Sequence, residues 1–185
     1  MLIAHFLALA AASAPAPPCM PGDIICATFE TKTPVGGYWV PERADGKIET
    51  KPVCGPGVLP CTEAKAIGHV VCVTRTNTSG QTFLTMPLKQ GLPRNVLVSA
   101  RVSAENVVSG ATKWRGGQFH VVHTSKGIEN FPKSDFEGSF GFQPLSFPVS
   151  GIEPTDTLVL RIGLQNGAGR ACFDDIRIMA AESEF

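Results

Sequence analysis

The 185-residue sequence predicts an all-β domain in which two antiparallel sheets pack as a sandwich. Near the C-terminus, Leu158, Leu160, Ile162 and Leu164 alternate with more polar residues, which is the period of a strand with one buried face. Similar apolar runs recur at short spacing between turn residues, and no helical periodicity separates them. The 19 glycines and 15 prolines favour frequent turns over long helices.

The first 12 residues are typical of a secretory signal peptide. The apolar run Leu2–Ala12 is too short to span a bilayer, and small residues follow it, so we place cleavage after Ala12. Residues 13–22 would then form an extended, proline-stiffened leader. No other segment could cross a membrane, and we therefore expect a secreted protein without a membrane span.

Six cysteines follow the signal peptide, and an even number in a secreted chain favours disulfides over thiolate metal sites. Proximity in the chain favours Cys19–Cys26 and Cys54–Cys61, which leaves Cys72 to pair with Cys172. This last pairing requires that the strands holding Cys72 and Cys172 be neighbours.

The sandwich domain is predicted over residues 23–179, followed by a tail at 180–185. Its first strand is predicted at Ile24–Glu30 and a short second one at Tyr38–Val40. From Glu42 to Gly68 the chain is polar and broken by glycine and proline. We interpret this stretch as a long surface loop pinned by the Cys54–Cys61 disulfide.

A strong strand is predicted at His69–Thr76 and ends in a turn at Asn77–Gly80. That turn contains Asn77-Thr78-Ser79, which matches the acceptor sequence for N-glycosylation. Four further strands are predicted before the C-terminal segment, at Gln81–Leu88, Asn95–Val107, Gly117–Thr124 and Leu145–Val149.

Residues 156–179 are predicted to form a terminal hairpin that reverses at Asn166-Gly167. In its second arm, Ala171 and Phe173 share a buried face with Ile176 and Ile178 only if the alternation slips. We therefore predict a β-bulge between Asp174 and Asp175, because the opposite phase would place a carboxylate in the core.

The segment Phe173–Ile178, after a glycine-rich turn, resembles the closing strand of galactose-binding-like β-sandwich domains, which include many carbohydrate-binding modules. The run Trp114–Phe119 is similar to the Trp-x-Gly-x-x-Phe element of bacterial members that are appended to polysaccharide-degrading enzymes. The resemblance covers residues 67–179. It implies a jelly-roll sandwich and the binding of a glycan or polysaccharide.

Two adjacent carboxylates beside a core strand need a partner. Phe29-Glu30 matches the Phe-Glu pair that opens many related modules, and the resemblance implies a structural calcium between this pair and the Asp-Asp strand. Glu30, Asp174 and Asp175 would then supply the charged ligands, since Ca²⁺ prefers carboxylate and carbonyl oxygens. The alternative is an ion pair with Arg170 or Arg177.

A sugar site needs flat apolar platforms for C–H faces and polar groups for hydroxyls. Trp114 is the best-placed platform, and Gln118 and His120 would add hydrogen bonds if they share its face. The other candidate platforms are Tyr38, Trp39, Phe131 and Phe142.

Other functions are disfavoured. The formal net charge is zero and basic residues do not cluster, which argues against nucleic-acid binding. His120 and His123, three apart on a strand, face opposite sides and would not share a metal, so one is expected in the core and the other exposed. Glu129, Asp135 and Glu137 could form a glycosidase pair, but they lie in a predicted loop.

The sequence therefore predicts a secreted, non-catalytic carbohydrate-binding module with a structural calcium site. The alternative is an extracellular structural or adhesion domain, which would bind a protein or build an assembly without recognising sugar.

Overall fold

The computed structural model describes residues 19–29, 39–42, 45–54, 61–62, 65–111, 116–130 and 136–181. These residues form eleven strands, and they include no helix that is long and apolar enough to cross a bilayer. The strands are β1 (Asp23–Ala27), β2 (Val40–Glu42), β3 (Lys47–Cys54), β4 (Ala66–Arg75), β5 (Gln81–Pro87), β6 (Val96–Ser109), β7 (Gly116–His123), β8 (Ile128–Asn130), β9 (Gly138–Val149), β10 (Leu158–Gln165) and β11 (Gly167–Ala180). The predicted signal peptide lies outside the described residues, as do most of the leader and of the tail.

The strands form two antiparallel sheets, which confirms the predicted sandwich. The six-stranded sheet has the order β3-β4-β11-β6-β9, and β1 pairs with the C-terminal half of β11 beside β4. The five-stranded sheet has the order β2-β5-β10-β7-β8. The core lies between them, where inward-facing residues such as Leu160 and Ile162 of one sheet and Phe173 and Ile176 of the other are fully buried.

The predicted bulge in β11 is confirmed. The pairing of β11 with β6 shifts register between Asp174 and Arg177, and Asp175 has a positive φ of 48°. Phe173 and Ile176, on either side of the bulge, therefore both face the core and are fully buried. The extra residue keeps the Asp174 carboxylate out of the core.

The predicted terminal hairpin is wrong, although the reversal at Asn166 is present. β10 belongs to the five-stranded sheet and β11 to the six-stranded sheet, so the chain crosses the sandwich at Asn166. The N–H of Asn166 donates to the carbonyl of Gly80 at 2.7 Å, and the N–H of Gly110 donates to the carbonyl of Asn166 at 2.7 Å. Each arm contributes a face to the core, and two arms in opposite sheets can bury these faces against each other.

The predicted loop between Glu42 and Gly68 is also wrong, because it contains strand β3. β3 is an edge strand whose Ile48 packs against the core while Lys47, Glu49 and Lys51 alternate on the outer face. Charged residues and a proline are typical of edge strands, where only one neighbour is paired. These residues gave the stretch the composition of a loop.

The three disulfides form as predicted: Cys19–Cys26, Cys54–Cys61 and Cys72–Cys172. Cys72 and Cys172 lie directly opposite each other in the β4–β11 pair. The strands that hold them are therefore neighbours, as this pairing requires.

Candidate functional site

The outward face of the five-stranded sheet carries a cluster of polar and aromatic side chains, which we call the polar face. It consists of Glu42 of β2, Phe83 and Thr85 of β5, Arg161 of β10, and Gln118 and His120 of β7. The residues between them in the strands point into the core, so alternation places this set on the opposite side.

The cross-strand register brings these side chains together. Arg161 lies opposite both Thr85 and His120, and in the next row Gly163 lies opposite both Phe83 and Gln118. Gln118 is only 2% exposed and His120 only 1% exposed, although both point away from the core. The outer face of an antiparallel sheet is commonly solvated. Gln118 and His120 are therefore buried on this side of the sheet and do not form an ordinary solvated surface.

The upper layer of the polar face is an ion pair between Arg161 and Glu42. The Nε and Nη2 groups of Arg161 donate to the two carboxylate oxygens of Glu42 at 3.0 and 2.9 Å. Their side chains are 22% and 31% exposed, respectively. The guanidinium lies 5.8 Å from the centroid of the Phe83 ring. These two side chains are thus the groups of this set that solvent reaches most readily.

The lower layer contains the imidazole of His120, which meets the Phe83 ring edge to face, with centroids 5.6 Å apart. Burial, followed by the positive charge of Arg161, lowers the pKa of His120 to about 3. The imidazole is therefore neutral at neutral pH. Since Arg161 is paired with Glu42, the polar face offers hydrogen-bond donors and acceptors with little net charge.

Gln118 and His120 lie on one face of β7, as two residues of the same parity, and their predicted partnership with Trp114 falls outside the described residues. Trp39 is not on that face, because its ring packs against the core and stacks on Phe29 at 5.9 Å. Trp39 comes directly before β2, where Val40 pairs with Thr85 of the polar face, so alternation turns the indole inward. The predicted platforms Trp114 and Tyr38 lie outside the described residues, as does Phe131.

Glu42, Phe83 and Arg161 were not predicted as site residues. Arg161 stands at a solvent-facing position of the alternating strand β10, and that position was the available signal. Its partnership with Glu42 depends on the order of strands β2, β5 and β10, which no local pattern reveals.

His120 and His123 face opposite sides of β7, as predicted, but the expectation that one would be exposed is wrong. His123 is buried at the end of the core, with its Nδ1 3.7 Å from Oδ2 of Asp156. Asp156 also accepts hydrogen bonds from Nζ of Lys126 and from the N–H of Glu153, both at 2.9 Å. This buried carboxylate joins two loops at one end of the sandwich.

The predicted calcium ligands have different surroundings. Asp175 accepts a hydrogen bond from Nε of Arg177 at 2.6 Å, and Nη1 of Arg177 lies 3.2 Å from Asp23, so the predicted ion-pair alternative holds for Asp175. Asp174 accepts from the N–H of Asp175 at 2.8 Å. Glu30 lies outside the described residues. The predicted calcium site, with Glu30, Asp174 and Asp175 as ligands, therefore stays a prediction.

The remaining polar groups are the possible glycosidase carboxylates and a cluster near the first strand. Of the possible glycosidase carboxylates, Glu129 lies opposite Val122 in β8 and Glu137 accepts a hydrogen bond from Ser109, while Asp135 is outside the described residues. Cys19 and Cys26 lie close to Asp23 in the arrangement of a metal site. Because the two sulfurs form a disulfide, they offer no thiolate to a metal.

No family model matches the sequence, and no curated protein is similar to it by sequence. Solved structures are similar in fold. The CBM22-1 xylan-binding domain of Paenibacillus barcinonensis Xyn10C aligns with a TM-score of 0.56 and 14% identity, over 88% of this chain and 96% of that one. The C-terminal family 22 carbohydrate-binding module of Clostridium thermocellum Xyn10B aligns with a TM-score of 0.54 and 14% identity, over 89% and 96%.

A third similar structure contains further modules. The CBM22-1–GH10 modules of Clostridium thermocellum xylanase 10B, complexed with xylohexaose, align with a TM-score of 0.55 and 14% identity, over 88% of this chain and 29% of that one. The chain thus shares the β-sandwich fold of carbohydrate-binding modules.

Proposed function

We propose that this chain is a secreted, non-catalytic carbohydrate-binding module that binds a neutral polysaccharide on the polar face. The observation that carries the proposal is the Arg161–Glu42 pair, held over Phe83 on the outward face of the sheet. A paired guanidinium and carboxylate can donate to and accept from neighbouring hydroxyls of one sugar. The Phe83 ring is only 2% exposed, so it supports the pair from beneath and does not itself contact the ligand. The low net charge of the face favours a neutral glycan.

The construction of the polar face supports binding by a preorganised site. Its six residues stand on four strands of one sheet and not on loops. His120 lies directly opposite Arg161 in the sheet, and both His120 and Gln118 are buried, which limits the freedom of the partly exposed pair to move. A site fixed in this way loses little conformational entropy when a ligand binds.

The proposed polysaccharide is a xylan, because similar folds belong to xylan-binding domains. The three disulfides support export, since such bonds persist in oxidising compartments. The proposed role is non-catalytic, as in the carbohydrate-binding modules of similar fold.

The test is affinity electrophoresis of the disulfide-bonded chain in gels that contain soluble xylan, other neutral polysaccharides or polygalacturonate. We expect retardation by xylan and none by the acidic polymer. Arg161→Ala should weaken the retardation, whereas Lys89→Ala, at an exposed position in the loop after β5, should leave it unchanged. If no neutral polysaccharide retards the parent chain, the proposal is wrong and the structural or adhesion alternative is favoured.

A structural calcium held by Glu30 and Asp174 is a further part of the proposal. Its support is the resemblance of the Phe-Glu and Asp-Asp elements, together with the position of Asp174 outside the core beside the bulge. When bound, calcium would tie the end of the first strand to β11. Chelation should lower the thermal midpoint of the parent and of Asp175→Asn, but not that of Asp174→Asn. A midpoint that chelation leaves unchanged in the parent would rule the site out.

A further inference from the structure

A groove of about 490 Å³ crosses the outer face of the six-stranded sheet, on the side of the sandwich opposite the polar face. All five strands of that sheet's main path contribute to its lining. Its volume falls within the range of roughly 300–1,000 Å³ that is usual for small-molecule sites. The groove is therefore large enough to hold part of an oligosaccharide.

The floor of the groove is apolar. It is formed by Val70 and by the Cys72–Cys172 disulfide, which joins the two central strands β4 and β11. Val70 and Cys72 are buried although they point away from the core. An outer sheet face that only meets water commonly carries polar residues. An apolar floor on this face is instead suited to a ligand with an apolar side.

One wall of the groove is the ring of Phe142 on the edge strand β9. Phe140 and Phe147 of the same strand pack with the core, whereas Phe142 is half-buried on the outer side. The guanidinium of Arg101 lies 5.4 Å from the centroid of its ring. This cation–π contact holds the ring in place at the edge of the groove.

The rim of the groove is polar, and its cations are paired. Nη1 of Arg170 donates to Glu105 at 2.6 Å, and Nζ of Lys51 lies 2.9 Å from Glu49. Hydrogen bonds from Lys47 and Lys51 lower the pKa of Glu49 to about 2, so this carboxylate stays ionised. Paired charges around an apolar floor suit hydroxyl groups better than the phosphates of a nucleic acid, which need unpaired cations.

We propose that this groove is a second carbohydrate-binding site, with Phe142 as its aromatic platform. The inference rests on the proposed function of the chain. The polar face and the groove lie on opposite sides of two packed sheets, so one polysaccharide segment cannot occupy both. A single chain would then hold two segments and link polysaccharide molecules together.

The stoichiometry of binding tests this proposal directly. Isothermal titration with xylohexaose should give two molecules per parent chain, and one per chain for either Arg161→Ala or Phe142→Ala. Phe142→Tyr keeps the aromatic platform and should still bind two xylohexaose molecules per chain. Ser103→Tyr fills the groove without removing the Phe142 ring, and should bind one molecule per chain. Thermal unfolding of each variant establishes that it is folded.

Bridging is the second readout. The parent chain bound to insoluble xylan should capture fluorescent soluble xylan, and Phe142→Ala should still bind the solid but lose this capture. One xylohexaose per parent chain, or a parent stoichiometry that neither Phe142→Ala nor Ser103→Tyr reduces, would overturn the second site while leaving the polar face intact. A parent that binds no neutral polysaccharide would overturn both sites.

Discussion

The guanidinium of Arg161 reaches across strand β5 to hold both carboxylate oxygens of Glu42, at 3.0 and 2.9 Å. These residues come from the central strand β10 and the three-residue edge strand β2, which do not pair with each other. The ring of Phe83, on the strand between them, lies beneath the guanidinium. The pair therefore spans the sheet and presents donors and acceptors at fixed positions on its outer face.

The first prediction is that removal of the Arg161 side chain weakens binding without a large change in the stability of the fold. Arg161→Ala should weaken xylan binding at the polar face by about tenfold or more, which corresponds to roughly 1.4 kcal/mol. Because the ion pair is partly exposed, its loss should change the free energy of unfolding by no more than about 1 kcal/mol. Titration calorimetry and urea denaturation measure the two effects separately. A variant that binds xylan like the parent would show that this pair is not part of the site.

The second prediction concerns Gly163, which lies between Phe83 and Gln118 in the polar face. A Cβ at this position would stand 2.1 Å from the carbonyl oxygen of Thr82 and 2.9 Å from the Phe83 ring, and the backbone φ is +155°. Gly163→Ala should therefore destabilise the fold by about 1–3 kcal/mol and displace the ring. Gly141→Ala in β9, where a Cβ would meet nothing within 4 Å, is the matched control. Equal unfolding midpoints for the two variants would contradict this packing.

Much of the fold follows from local patterns. The period of β10 identified its core face, and the cost of burying a carboxylate predicted the bulge beside Asp175. The sheet to which each strand belongs is a non-local property. The turn at Asn166 is compatible with a hairpin or with a crossing between sheets, and only the packing of both apolar faces selects the crossing.

The candidate site also combines features that local patterns predict with features that depend on strand order. Gln118 and His120 share a face because they are two residues apart on one strand. The meeting of Glu42, Phe83 and Arg161 depends on the strand order β2-β5-β10, which brings together residues from distant parts of the chain. Trp39 has the aromatic side chain expected of a sugar platform, but the alternation of side chains along the strand turns it towards the core. Residue type alone could not distinguish these two roles.

The third prediction compares two disulfides of different span. Cys72–Cys172 closes a separation of 100 residues and Cys19–Cys26 one of 7 residues. In the chain-entropy model their removal costs about 5 and about 2 kcal/mol, respectively. Replacing both cysteines of each pair with alanine and measuring guanidinium unfolding tests this order. A larger loss of unfolding free energy in the Cys19–Cys26 variant would mean that chain entropy does not dominate the contribution of these disulfides to stability.

The fourth prediction is a loss of stability in acid that depends on His120. The folded-state pKa of this residue is about 3, below its ordinary value of 6.5. As the pH falls below 6.5, His120 binds a proton in the unfolded chain but not in the folded chain. The free energy of unfolding therefore decreases until the pH reaches about 3. At one pKa unit for each 1.36 kcal/mol, the loss is at most about 5 kcal/mol.

Unfolding by urea at a series of pH values between 7 and 3 measures this dependence. Carboxylates also contribute to acid unfolding, so the informative quantity is the difference between variants. His120→Gln should flatten the decline relative to the parent, because glutamine binds no proton in this range. His69→Gln, which removes a histidine of β4 in the other sheet, is the control for the loss of an imidazole elsewhere. If the stability of both variants declines alike as the pH falls, His120 is not held in its neutral form by burial. The packing around its imidazole would then be looser than its low exposure indicates.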